Sequence, residues 1–125
     1  MFHQSLAILV TLLAFALAVP ALPVGSVTCG TNSYTPTEVQ AAITAGRTTG
    51  SQMRNHYPHQ YRNFEGLNMQ CAGPPYNEYP ILPGGLYTSG PPGADRVVFN
   101  NAGDYCTVMT HTGAVRNGFR LCIGV

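Results

Sequence analysis

Only one stretch of this chain carries the punctuation of a helix, and everything after it is cut into short pieces by glycine, proline and asparagine. Over residues 35–46, Thr35 stands as N-cap, Pro36 takes the first helical position, Glu38 follows the cap by three residues and Gly46 supplies the stop. Val39, Ala42 and Ile43 fall on one face at helical spacing. Residues 47–55 have no apolar period and read as a loop. Beyond them, residues 56–62, 78–82, 96–100, 105–111 and 119–123 carry strand character, separated by turn formers. The expected fold is α+β, with one short α-helix packed on a single antiparallel β-sheet of about five strands.

Period-two alternation sorts the strand side chains. Glu78, Pro80 and Leu82 share a face opposite Tyr79 and Ile81; Arg96 and Val98 oppose Val97 and Phe99; Tyr105, Thr107, Met109 and His111 share a face. One helix cannot cover both sides of such a sheet, so one face is expected under the helix and the other partly open, with the polar functional groups on the open side.

Residues 6–18 form a run of 13 that is apolar apart from Thr11, too short to span a bilayer and followed by small residues. Residues 1–21 therefore read as a secretory signal peptide, cleaved after Ala18 or Ala21, and residues 22–125 as the mature domain. A domain of about 100 residues gains only a thin margin from its core. All four cysteines, Cys29, Cys71, Cys106 and Cys122, lie in that domain, and an even number in an oxidising compartment implies two disulfides. Spacing alone leaves three pairings open. No Cys-x-x-Cys or paired-histidine spacing suggests a metal. The chain has six arginines, no lysine, five acids and a formal net charge of +1, far from the basicity of a protein that grips long nucleic acid by many phosphates. If RNA is the substrate, only a nucleotide or two should be held tightly.

Four residues have the chemistry of a phosphoryl-transfer site: His59, Glu78, Arg96 and His111. A carboxylate can take the proton of an RNA 2′-hydroxyl and a histidine can protonate the leaving 5′-oxygen. An arginine and a second histidine can stabilise charge building on the phosphate oxygens. Asp95 and Arg96 should point to opposite faces, so Arg96 needs another anionic partner, Glu78 or a phosphate. His111 ends a strand before a glycine-containing loop, a common position for functional groups. Charge partners around Glu78 would hold it ionised. In Tyr61-Arg62-Asn63-Phe64-Glu65, two aromatics flank polar residues, and the Glu65 carboxylate could accept the paired N1–H and N2 amino donors of guanine.

Several segments, taken in order, resemble the fungal guanyl-specific ribonucleases. They are Tyr57-Pro58-His59-Gln60-Tyr61 with Phe64-Glu65-Gly66, then Glu78-Tyr79-Pro80-Ile81, Pro92-Gly93-Ala94-Asp95-Arg96-Val97-Val98, and Thr110-His111-Thr112-Gly113-Ala114 followed by Asn117 and Phe119. The likeness runs from Cys29 to Cys122. It implies Glu78 as general base, His111 as general acid, His59 as an aid to the base that also contacts phosphate, and Arg96 as the phosphate-neutralising cation. Tyr57 and Phe119 would line the phosphate pocket. Guanine would be held by Tyr61, Arg62, Asn63, Phe64 and Glu65, with Tyr61 and Phe64 bracketing the ring and Asn117 adding a contact. Arg62 stands where many members have Asn, and the region from the helix to Tyr57 is somewhat shorter. The resemblance also selects Cys29 with Cys122 and Cys71 with Cys106.

The activity so implied is secreted, extracellular endonucleolytic cleavage of single-stranded RNA 3′ to guanosine. It would proceed through a 2′,3′-cyclic phosphate hydrolysed to the 3′-phosphate, with no metal or cofactor. The protein would be a monomer, without membrane association once the leader is removed. Two other readings compete. A toxin aimed at one ribosomal RNA site would be more basic and carry longer loops. A non-catalytic RNA-binding effector would have no need to keep all four catalytic groups.

Overall fold

The computed structural model describes residues 21–49 and 56–125. Apart from Ala21, the expected leader lies outside the described residues, as do residues 50–55 of the expected loop. Strands β1 (Val27–Cys29) and β2 (Asn32–Tyr34) form an antiparallel hairpin, followed by helix α1 (Pro36–Thr49). Then come β3 (His59–Tyr61), β4 (Tyr76–Pro80), β5 (Asp95–Asn100), β6 (Tyr105–Thr110) and β7 (Arg120–Leu121), paired in that order in one five-stranded antiparallel sheet. The expected single sheet is therefore joined by a second, two-stranded one. Its strands are too short to show an alternation, and it is tied to the chain's far end by the bridge between Thr28 and Ile123.

The helix begins as its punctuation indicates. Glu38 N–H donates to Thr35 Oγ1 at 3.2 Å, and Thr35 N–H donates back to Glu38 Oε1 at 3.2 Å, closing a capping box. It does not stop at Gly46, as expected, but runs on to Thr49. Gly46 is buried, and a Cβ there would lie 2.9 Å from Phe99 Cε1 and 3.0 Å from Tyr79 Cγ. The glycine lets the helix approach the sheet closely rather than ending it.

Val39, Ala42 and Ile43 pack against Tyr79, Val97, Phe99 and Val108, and the hairpin adds Val27 and Tyr34 to this core. On the sheet's other face Tyr61, Val98, Cys106 and Met109 form a smaller cluster with Leu67, Met69, Tyr76 and Phe119. Strict alternation fails in β6. A bulge between Val98 and Phe99 pairs Thr107 with Val98 but Tyr105 with Phe99, so Tyr105 joins the helix-side core instead of sharing a face with Thr107.

Two disulfides link Cys29 to Cys122 and Cys71 to Cys106. The first clamps the hairpin to the end of the sheet, and the second pins residues 62–75 onto β6. Asp95, buried at the start of β5, accepts hydrogen bonds from Asn32 Nδ2 at 2.9 Å, from Tyr34 OH and from Thr110 Oγ1 at 2.7 Å. It joins hairpin and sheet from the face opposite Arg96, as alternation requires.

Candidate active site

Register gathers the functional side chains. His59 pairs with Glu78 and Glu78 with Val98; Arg96 pairs with Met109, two residues before His111. Residues facing one another across antiparallel strands share a face, so His59, Glu78, Arg96 and His111 all project from the side away from the helix.

Glu78 is at the centre. His59 Nδ1 stands 3.3 Å from its Oε1 and Arg96 Nε stands 3.4 Å from its Oε2. The second contact is an ion pair without hydrogen-bond alignment, since Nε has no hydrogen-bond acceptor. Only 7% of the Glu78 side chain is exposed, against 40% of His59. Burial raises the Glu78 pKa above the ordinary value, although His59, Arg96 and His111 oppose the rise. The neighbours favour the ionised form, as expected, but desolvation outweighs them in setting the direction of the shift.

Arg96 is held without help from any substrate. Its NH1 donates to the carbonyls of Pro92 at 3.2 Å, Gly93 at 2.8 Å and Asp95 at 2.9 Å, and its NH2 donates to Tyr57 OH at 3.0 Å. The guanidinium also lies 5.1 Å from the Tyr57 ring centroid and 5.9 Å from that of Phe119. Such a cation is fixed in place before any anion arrives.

His111 is clamped as tightly. Phe119 stacks on its ring with centroids 3.8 Å apart, and the ring Nδ1 lies 2.8 Å from the Gly118 carbonyl. A carbonyl only accepts, so Nδ1 carries a proton and Nε2 is the nitrogen left for chemistry. The backbone N–H of His111 donates to Ala94 O at 2.9 Å. Tyr57 stacks on His59 at 4.7 Å, completing an aromatic rim of Tyr57 and Phe119 around the cationic centre.

Beside this centre, residues 61–66 make a tight turn. Asn63 has φ 53°, accepts Leu67 N–H on its Oδ1 at 2.7 Å and donates its Nδ2 to Leu67 O at 2.9 Å. Glu65 accepts Tyr61 OH at 2.8 Å on one oxygen and Phe119 N–H at 2.7 Å on the other. Burial would raise the Glu65 pKa, but these donors and the charge of His111 outweigh it and lower the value. The two aromatics expected to bracket a base differ sharply. Tyr61 is buried and sits edge-on to Phe119, whereas Phe64 is 88% exposed. Arg62 and Asn117 are exposed.

The side chains singled out in the sequence are gathered by the fold, but the groups that orient them were not foreseen. The carbonyls of Pro92, Gly93, Ala94 and Gly118 hold Arg96 and His111, and a backbone carbonyl leaves no mark on residue identity beyond the glycine and proline that let the chain turn. Among the described residues, no group of histidine, cysteine, aspartate and glutamate side chains is arranged to hold a metal ion.

The ribonuclease family model matches residues 22–123 of this chain. Guanyl-specific ribonuclease F1 of Fusarium fujikuroi is 42% identical over 132 residues, covering 99% of this chain and 98% of that protein. Guanyl-specific ribonuclease Ap1 of Aspergillus pallidus is 48% identical over 100 residues, covering 76% of this chain and 95% of that protein. Among solved structures, the ribonuclease from Hericium erinaceus is 38% identical with a TM-score of 0.61, covering 78% of this chain and 98% of that one.

Proposed function

Because the chain belongs to the ribonuclease family, we propose that it cleaves single-stranded RNA on the 3′ side of guanosine by transesterification, using its own side chains. The observation that carries this reading is the placement of one carboxylate, two imidazoles and a locked guanidinium on a single sheet face.

Glu78, its pKa raised by burial, accepts the proton of the guanosine 2′-hydroxyl. The freed oxygen attacks phosphorus and forms the 2′,3′-cyclic phosphate. His111, oriented by Gly118, gives a proton from Nε2 to the departing 5′-oxygen. Arg96 and His59 face the phosphate oxygens, where negative charge grows, and Tyr57 and Phe119 wall the pocket. Hydrolysis of the cyclic phosphate reverses the roles: His111 takes a proton from water and Glu78 returns one to the 2′-oxygen, leaving a 3′-phosphate.

Guanine preference rests on the turn at residues 61–66. Glu65, with each oxygen already bound to one internal donor, keeps lone pairs for the N1–H and N2 amino group of guanine. Tyr61 forms the buried side of the slot and exposed Phe64 is the ring free to cover the base, with Arg62, Asn63 and Asn117 around it. Relatives named as guanyl-specific support this assignment. One relative, from Gibberella baccata, is named extracellular, and with the apolar run at residues 6–18 it supports secretion after removal of residues 1–21. No described helix is long and apolar enough to cross a membrane. We take the active form to be a monomer.

The test uses oligonucleotides differing by a single G-to-A exchange, in the presence of a chelator. Cleavage only at G, with a cyclic-phosphate product, is expected. Glu78→Gln and His111→Ala should each lower kcat by roughly two to four orders of magnitude. Near-full activity in either variant would overturn its assigned role.

A further inference from the structure

Most asparagines of the described chain are held by their side chains: Asn32 on Asp95, Asn63 on Leu67, Asn77 on Asn101, and Asn100 on Asp104. Asn68 and Asn117 are exposed and make no side-chain hydrogen bond among the described residues. Of the two, Asn117 precedes a glycine, which leaves the next peptide nitrogen open to approach because it carries no Cβ. That nitrogen is restrained by one bond, Gly118 N–H donating to Val115 O at 3.0 Å. The turn it closes holds Arg116 at φ 55°, in the left-handed region that side chains rarely adopt, so strain offsets much of what the bond returns.

The same glycine orients the acid. Gly118 O lies 2.8 Å from His111 Nδ1, Phe119 stacks on the His111 ring, and Phe119 N–H donates to Glu65. We propose that Asn117–Gly118 is a self-modification site, whose conversion to isoaspartate disconnects His111 and ages the enzyme out of activity. The Gly118 nitrogen gives its proton to hydroxide and bonds to Asn117 Cγ; the bond from Cγ to the side-chain nitrogen breaks, and ammonia leaves with a proton from water, regenerating hydroxide. Water then opens the resulting succinimide. Cleavage of the bond from the Gly118 nitrogen to Cγ gives aspartate. Cleavage of its bond to the main-chain carbonyl gives isoaspartate, whose backbone is longer by one methylene. That extra length falls directly before Gly118, and the new carboxylate enters one residue from the glycine that packs on Glu65. The modification stands on the chemistry of the turn; its consequence rests on the ribonuclease reading.

The experiment ages the unaltered enzyme, N117Q and N117D in mildly alkaline buffer below the unfolding temperature. It follows kcat on a G-containing oligonucleotide, and isoaspartate by peptide mapping, with a peptide of residues 114–120 as reference. Asn117 should convert about fivefold more slowly than in the peptide, one hydrogen bond's worth of protection. In the unaltered enzyme kcat should fall in proportion to isoaspartate at 117. The isoaspartyl form should retain about one part in a hundred, as when the group that orients an acid moves by about an ångström. N117Q, whose longer side chain closes a ring slowly, should hold its own starting activity, whatever that is. N117D, which carries the charge without the added methylene, should lose about two- to fivefold. Isoaspartyl methyltransferase with its methyl donor, which returns isoaspartate to aspartate, should bring the aged enzyme back to the N117D level. No isoaspartate at 117 once the peptide is exhausted, or earlier conversion at Asn68, would overturn the site. Full conversion with kcat retained, or equal activity of the aspartyl and isoaspartyl forms, would overturn its link to His111. An unaltered enzyme that never cleaves RNA would sink the ribonuclease reading, while the peptide map still decides the modification.

Discussion

Replacing Gly46 by alanine sets two known effects against each other, and the structure decides the sign. Within a helix, alanine is favoured over glycine by about 0.8–1.0 kcal/mol. At this position the new methyl carbon would sit 2.9 Å from Phe99 Cε1, 3.0 Å from Tyr79 Cγ and 3.1 Å from Phe99 Cζ. Comfortable carbon contacts are about 3.5–4.0 Å, so both rings must yield by roughly half an ångström or more. Neither has room: Phe99 is 4% exposed, Tyr79 is 3% exposed, and Tyr79 OH is tied to Tyr87 O at 2.8 Å. Overpacking costs about 1–3 kcal/mol, and displacement of two buried rings belongs in the upper half of that range. Gly46→Ala should therefore destabilise by about 1–2 kcal/mol net, which lowers Tm by roughly 5–15 °C in a domain of this size. Urea unfolding followed by circular dichroism gives the midpoint and slope. Ala41→Gly, on the exposed face of the same helix, calibrates propensity alone and should cost about 1 kcal/mol. A raised midpoint for Gly46→Ala would refute close packing as the reason for this glycine.

Other outcomes follow from features already described. Asp95→Ala leaves Asn32 Nδ2 and Thr110 Oγ1 without their acceptor, at about 1–3 kcal/mol each, and Tyr34 OH with only the Ile81 carbonyl at 3.2 Å, and should remove roughly 2–6 kcal/mol by urea titration. Opening Cys29–Cys122, with 93 residues of separation, should cost up to about 4.7 kcal/mol, and opening Cys71–Cys106, with 35, up to about 3.8. A larger loss from the shorter loop would contradict the chain-entropy account. Burial raises the folded pKa of Glu78 above its unfolded value, so the ionised carboxylate costs stability at neutral pH, and that cost fades once both states are protonated, below the ordinary value of 4.5. Glu78→Gln should thus raise Tm at pH 7, with the gain vanishing at acid pH, even as it abolishes most activity. In the active enzyme, the acidic limb of kcat/KM should lie above 4.5 for the same reason.

Much of the site was legible because its parts obey short-range rules. The capping box announced the helix start, alternation sent Asp95 and Arg96 to opposite faces, and ordered motifs named the residues worth watching. What stayed hidden depends on residues distant along the chain. The role of Gly46 is set by two rings on β4 and β5, and glycine in a stop position and glycine in a packing position look alike in one dimension. The bulge at Val98 and Phe99 shifted Tyr105 to the helix-side core, and no residue type marks it. The balance at Glu78 turned on burial, a quantity that neighbouring charges in a sequence do not report. The β1–β2 hairpin escaped because three-residue strands carry too few side chains to show a period.

One short stretch of backbone serves two masters. Gly93 and Asp95 offer their carbonyls to the guanidinium, while Ala94 between them accepts the amide N–H of His111, the proposed general acid. On the proposed mechanism, charge neutralisation and leaving-group protonation are thereby hung from the same hinge pin. A change that tilts these peptides shifts both devices in concert, so damage there will look like a wholesale loss of catalytic power and will resist being parsed into separate defects.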